Sequence, residues 1–506
     1  MFRYLLTRTL TVLTFLASSA LSQTPVGTIV PGRFIVTYRN GAIPPAESHA
    51  RIIAGASIVA RHERLGIAIV QADPLAAVHL REQLAADPAV EMVVSDRTIT
   101  AQAIQTRAAN IATANSDALY DSPQGWAVRQ VGGFGTAAQP GPWNVTTGKG
   151  VRIAILDSGV DTYHPDIAPN LAVNLSEIDQ TALPSPCDDG SPYDQQGHGT
   201  WTASLAAAAA GPNTGLVIGV APNATILNIK VLQRMPSPSA STADPSGCNA
   251  GQAAGLLSWV LAGIEDAVNQ RADIISMSLG TLVDVTTGDG AGLKATFDHV
   301  THAAANSGVI LIASAGNDGF NLENRRYVEI PAQSRDVLAI VASTNPACAE
   351  NLIAGATCVT GSVSMPYYSN YGAPLNALAA PGGSYPSGPD SDPSLQSGWV
   401  WGACSKGLPS STSGVPSVQG QSFGCFGLGH TPYVQAMGTS ASAPLAAGAA
   451  ALLRAAYPTW SAATVVAALR SSAVLSTALA VPQIDVSTLI GATAPHLSHI
   501  NAVRQR

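Results

Sequence analysis

From Val151 onward the chain alternates short apolar runs with helical stretches, and that alternation restricts its possible architectures more than any other feature. VRIAILDSG, ATILNIKVL, ADIISMSLG, VILIASAGN and VLAIVAST are near-continuous apolar runs, as strands buried on both faces are. Between them stand GTWTASLAAAAAG, AGLLSWVLAGIEDAVNQ and LKATFDHVTHAAANSG, all of helical length, and AGAAALLRAA follows. Such alternation implies an α/β fold with a doubly wound parallel sheet flanked by helices. Ligands of these sheets bind outside the carboxyl ends of the strands. The polar residues at those ends are therefore the candidates for chemistry.

A smaller α+β unit precedes this one, over residues 31–96. GRFIVTYR, SIVARH, GIAIVQA and AVEMVVSD read as its strands. One helix is expected over Pro45–Ala54, and another over LAAVHLREQLAA, opened by Asp73-Pro74. The order β-α-β-β-α-β is the split, ferredoxin-like arrangement. Residues 97–124 are polar, without a sustained period, and read as a linker of the kind in which proteolytic cuts fall. The larger unit then occupies 125–506.

Residues 1–22 read as a secretory signal, with Arg3 and Arg8 before the apolar stretch Leu10–Leu16 and small residues after it. That stretch is short of the about 20 residues a membrane span needs, so removal of the segment and a secreted, extracellular product are expected. No later segment reads as a span. Apolar residues make up 46% of the chain and charged residues 11%, which supplies a core and excludes a disordered polyelectrolyte. The net charge of −7, with no Lys/Arg cluster, argues against nucleic-acid binding. The six cysteines, Cys187, Cys248, Cys348, Cys358, Cys404 and Cys425, suit disulfides in an exported chain. Cys348–Cys358 and Cys404–Cys425 are the sequence-local pairings, leaving Cys187–Cys248, although other pairings stay open. Residues 383–430, rich in Ser, Gly and Pro, read as a long surface loop tied by Cys404 and Cys425.

Four residues sit where chemistry is expected. Asp157 ends the first parallel strand, His198 starts a helix, Asn317 follows another strand, and Ser440 leads into PLAAGAAALLRAAY, with Pro444 expected in that helix's first turn. A serine hydroxyl needs a base to become a nucleophile. His198 would take its proton and pass it to a leaving amine. Asp157 would hold the imidazole tautomer, and Asn317 would donate to the oxyanion.

These runs identify a resemblance. DSGVD at Asp157, HGTWTA at His198, SMSLG at Ser276–Gly280, SAGND at Asn317, YSNYG at Tyr368–Gly372 and GTSASAP at Ser440 are similar to the motifs of subtilisin-like serine peptidases, the subtilases. The order Asp, His, Ser is that of subtilisin itself. One position departs from the family's pattern: Ser442 stands where alanine is usual, and it adds a hydroxyl near the first turn of the helix that can bond back to the backbone.

The resemblance, which covers about 125–474, implies a serine endopeptidase acting on polypeptides as a monomer without a required cofactor. It implies that 31–96 is an inhibitory propeptide, an intramolecular inhibitor released by a cut in the linker. It implies that Ser278, Leu279 and Gly280 pair with substrate, while Ala315 and Gly316 wall the first specificity pocket. Many relatives bind calcium, and Asp188, Asp189 and Asp194 are acidic loop residues, but no ligand spacing is visible and no metal is assigned. Two other classes fit part of the pattern. A non-catalytic peptide-binding scaffold would lack a catalytic residue, and none is missing. A serine esterase carries G-x-S-x-G in the order Ser, Asp, His, whereas Ser440 comes last.

Overall fold

The computed structural model describes residues 27–45, 56–101, 105–108, 115–138, 140–237, 246–345, 363–384, 398–406, 424–474, 479 and 481–490. The signal-like segment, Cys348, Cys358 and all but the first residue of the helix expected at 45–54 lie outside them.

The N-terminal unit contains β1 (Ile29–Tyr38), β2 (Ala56–His62), β3 (Ile67–Ala72), α1 (Ala77–Ala86) and β4 (Val90–Ala101). Its strands lie in the order β4-β1-β3-β2, each pair antiparallel. Strand residues alternate between faces, and here both faces are covered. Phe34, Val36 and Tyr38 pack with Leu80 and Leu84 of α1. Ile35, Ile67, Ile69 and Val94 instead join a cluster that belongs to the larger unit. Burying such a side chain contributes ~1.5–3 kcal/mol, so the two units share a core. β4 continues beyond residue 96, and β5 (Gln105–Ala108) follows, so the stretch read as a linker carries regular structure.

The larger unit is built on seven parallel strands: β6 (Arg152–Asp157), β7 (Leu171–Ser176), β8 (Thr225–Lys230), β11 (Ile274–Met277), β13 (Ile310–Ser314), β15 (Val337–Ser343) and β16 (Leu378–Pro381). They lie in the order β16-β15-β13-β11-β6-β8-β7. The direction of winding reverses between β6 and β11, the crevice in which such sheets bind ligands. β7 and β16, an edge strand of mixed polarity and a four-residue run, carry no signal that the apolar pattern detects.

Helices cover both faces. α2 (His198–Ala207) and α5 (Thr439–Ala456) pack with Ile153 and Ile155 on one side. α3 (Leu257–Asn269) and α4 (Gly288–Asn306) pack with Ala154 and Leu156 on the other. Short antiparallel strands, β9 (Gln233–Met235), β10 (Gln252–Leu256), β12 (Leu279–Asp284) and β14 (Tyr327–Ile330), border the sheet's carboxyl edge.

Two expectations change here. Part of 383–430 is not surface loop: β17 (Val400–Ala403) pairs with β18 (Tyr433–Met437), and Trp399, Val400 and Cys404 are buried. Its Ser/Gly/Pro-rich flanks hide this short strand from a compositional reading. Pro444 is not in the first turn either, because α5 begins at Thr439. A proline there cannot donate to the carbonyl four residues back, that of Ser440. The hydroxyl of Ser278 donates to it instead, at 2.9 Å. A distant side chain thus replaces the missing helical bond. Cys187–Cys248 and Cys404–Cys425 are disulfides, with S–S distances of 2.00 and 2.09 Å. Among the described residues no helix is long and apolar enough to cross a membrane.

Candidate active site

Asp157 closes β6 and His198 opens α2, and the two side chains meet. Nδ1 of His198 lies 2.7 Å from Oδ1 of Asp157. That oxygen also accepts the N–H of Ser158 at 2.7 Å, and Oδ2 accepts the hydroxyl of Thr202 at 3.1 Å. Thr202 lies one turn along α2 from His198, on the same face. Both Asp157 and His198 are buried. An acceptor on this side assigns the imidazole proton to Nδ1 and leaves Nε2 as the basic nitrogen. The close approach of α2 to β6 requires a glycine at 199, because a Cβ there would sit 2.1 Å from the carbonyl oxygen of Gly159.

Ser440 is the second residue of α5 and is buried. Its hydroxyl donates to the carbonyl of Ser278 at 3.3 Å. Nε2 of His198 is buried and has no hydrogen-bond partner. The serine–imidazole bond is therefore not made in this state, and the unpaired atom is the one that a general base would use. Asn317, after β13, accepts from the N–H and the hydroxyl of Thr439, each at 2.9 Å. These bonds identify the oxygen end of its amide, so Nδ2 is the donor end.

The acidic loop residues are engaged in other work. Both oxygens of Asp188 receive Nζ of the buried Lys230, at 2.8 and 3.0 Å. Burial pushes the Asp188 carboxyl up and Lys230 pulls it back. Asp194 accepts the N–H groups of Gln196, Gly197 and Thr200 and the hydroxyls of Thr200 and Ser158. It satisfies the amides around the start of α2. Burial pushes its carboxyl up, against the pull of those donors. Asp189 accepts from Ser191 N and from the amide of Gln195. Among the described residues no group of three or more His, Cys, Asp or Glu side chains could hold a metal ion. The part Asp194 plays in satisfying the amides around the start of α2 is absent from the sequence reading, yet an acid shortly before a helix start is a recognisable signal.

The structure places 278–280 and 315–316 beside these groups. Ser278 is bonded to Ser440 in both directions, and Ala315 and Gly316 precede Asn317. The protein's own chain lies on this strip. Leu279 and Gly280 pair antiparallel with Ala101 and Thr100 of β4. On its other edge β4 pairs with β10, Ala254 opposite Thr100 and Leu256 opposite Thr98. Beyond residues 102–104, which lie outside the described residues, β5 pairs with β18, Gln105 opposite Met437. The chain is thus held as an added strand on both sides of Ser440.

A sequence model described as the subtilase family matches residues 148–491. An intracellular serine protease of Paenibacillus polymyxa is 32% identical over 204 residues, 40% of this chain and 52% of that protein. Subtilisin NAT of Bacillus subtilis subsp. natto is 30% identical over 327 residues, 65% of this chain and 61% of that protein. The chain thus spans about half to three-fifths of the length of these relatives. Among solved structures, the epidermin leader peptide processing serine protease of Staphylococcus aureus superposes with a TM-score of 0.62 at 17% identity. That match covers 92% of this chain and 99% of the other, and speaks to the fold alone.

Proposed function

Because the chain belongs to the subtilase family, we propose that it is a serine endopeptidase that cleaves extended polypeptides through an acyl-enzyme on Ser440. The observation that carries the reading is the buried Asp157–His198 pair at 2.7 Å, on the same sheet edge as Ser440, with Nε2 of His198 unpaired.

In this reading Ser440 rotates away from the Ser278 carbonyl and gives its proton to Nε2 of His198 as Oγ attacks the peptide carbonyl carbon. Negative charge gathers on the carbonyl oxygen. Nδ2 of Asn317 and the N–H of Ser440 donate to it; that N–H has no helical partner because it lies in the first turn. Collapse breaks the C–N bond, and His198 returns the proton to the leaving nitrogen. Water then attacks the ester, its proton passing through His198 back to Ser440. No cofactor takes part. Substrate would lie where β4 lies, paired by backbone with Ser278–Gly280 and with Ala315 and Gly316 walling the pocket beside Asn317.

We further propose that residues 31–96 form a ferredoxin-like inhibitory propeptide. The antiparallel order β4-β1-β3-β2 and the shared core with α3 and α4 support this. So does the occupation of the strip by Thr98–Ala101. Cleavage within 97–124 would begin the mature peptidase domain, up to 506, as a monomer. Export behind the segment 1–22 is supported by the two disulfides. The test is Ser440→Ala. Wild type is expected to hydrolyse casein and to have a new N-terminus within 97–124, whereas the variant is inactive and uncut. Full processing of the variant, or persistent activity, would refute the reading.

A further inference from the structure

Behind the His198 ring lies a turn that the mechanism has not used, residues 424–428, which carries Cys425 of the Cys404–Cys425 disulfide. The bridge packs on the backbone that introduces His198. A Cβ on Gly197 would fall 2.8 Å from Cys404 Sγ and 2.9 Å from Cys425 Cα, and Gly197 itself has φ +105°. Phe426, next to the bridge, is buried and has φ +56°. That region is unfavourable for a bulky L-residue and persists only where surroundings enforce it, most often at functional sites.

The surroundings here are specific. The N–H of Phe426 donates to the carbonyl of Gln196 at 2.5 Å. Its carbonyl accepts from the buried Arg234, which also donates to the carbonyl of Gln195 at 3.1 Å. Both contacts return to the loop that carries His198.

The Phe426 ring then meets the imidazole edge to face, with centroids 6.1 Å apart at 81°. Trp201 meets the imidazole at 5.8 Å and 67°, and Phe426 contacts Trp201 at 6.3 Å and 74°. Edge-to-face pairs have a preferred geometry, so the two aromatic rings constrain the plane of the imidazole. Asp157 anchors only the Nδ1 end, and no hydrogen bond holds Nε2. The orientation of the catalytic nitrogen therefore depends on packing.

We propose that Phe426 is a positioning residue for His198, and that the Cys404–Cys425 bridge holds it in place. The inference rests on the serine-peptidase reading above. It assigns to this disulfide turn a role in the rate of proton transfer, separate from substrate binding.

The test compares processed wild type with Phe426→Ala, Phe426→Tyr and the double variant Cys404→Ala/Cys425→Ala on a chromogenic peptide anilide, with rates per folded chain by near-UV circular dichroism. Phe426→Ala is expected to lower kcat roughly 10- to 100-fold, the scale on which a misplaced catalytic group is felt, with KM within about twofold. Phe426→Tyr, which keeps the ring, restores kcat to within about threefold of wild type, and the double variant falls in the direction of Phe426→Ala. If Phe426→Ala does not fold, Phe426→Leu replaces it and the same division between kcat and KM is read. Unchanged kcat in the ring-less variant, or a change in KM alone, overturns the proposal. A wild type without peptidase activity would instead refute the reading beneath it.

Discussion

Two helix starts meet at the proposed catalytic edge, and they are finished differently. At α2 each early N–H has a partner. His198 N donates to the side chain of Gln196 at 3.0 Å, Gly199 N to Ser158 Oγ at 2.8 Å and Thr200 N to Asp194 at 2.9 Å. The buried carboxyl oxygens of Asp194 accept the amides of Gln196, Gly197 and Thr200 that no helical bond satisfies. At α5 the cap position is Gly438, without a side chain to cap it. Thr439 N is taken by Asn317, and no acceptor among the described residues takes the N–H of Ser440. One start is closed, which suits a histidine that must keep its orientation. The other is open, which suits a serine beside which an anion must form.

Substitutions can test this contrast. The largest effect is expected from His198→Ala, which removes the base held by the closed start; kcat should fall about 10⁶-fold, the magnitude known for subtilisin itself. Next is Asn317→Ala at the open start. Peptidase kcat should drop ~10²–10³-fold, again a magnitude known from subtilisin, while unfolding by denaturant shifts by no more than ~1 kcal/mol. Asp194→Asn should reverse that balance. It places an amide among five donors and should cost ~2–3 kcal/mol of stability, read from the midpoint of chemical unfolding. Equal stability losses for Asn317→Ala and Asp194→Asn would break the distinction between the two starts.

The smallest effect sharpens it. Ser442 Oγ is buried at the open start without a hydrogen-bond partner, so the bond back to the helix backbone that a serine can make is not made here. Ser442→Ala should raise stability by ~1 kcal/mol with kcat unchanged, measured by thermal unfolding and steady-state kinetics. A loss of kcat on that change would give the hydroxyl a role that the geometry does not.

Local pattern made the parallel sheet legible, because β6, β8, β11, β13 and β15 are apolar runs that stop at polar residues. The same stops point to Asp157 and Asn317, and the helix starts point to His198 and Ser440. What stayed hidden depends on contacts between distant parts of the chain. The proline rule expects Pro444 in a first turn, and nothing nearby shows that Ser278 would replace its missing bond. Asp188 reads as a free loop acid until β8 brings Lys230 to it. Residues 97–101 and 105–108 have too little apolar periodicity to announce strands, since their partners β10, β12 and β18 supply the pairing.

The proposal that Ser440 is the nucleophile activated by His198 is tested most directly by covalent labelling. Processed enzyme should be treated with a fluorophosphonate and mapped by peptide mass spectrometry, with residual peptidase activity followed in parallel. A single modification is expected, on Ser440, whose extent matches the loss of activity, and none when His198 is alanine. Activity that survives complete labelling of Ser440, or that disappears while Ser440 remains unmodified, would contradict it.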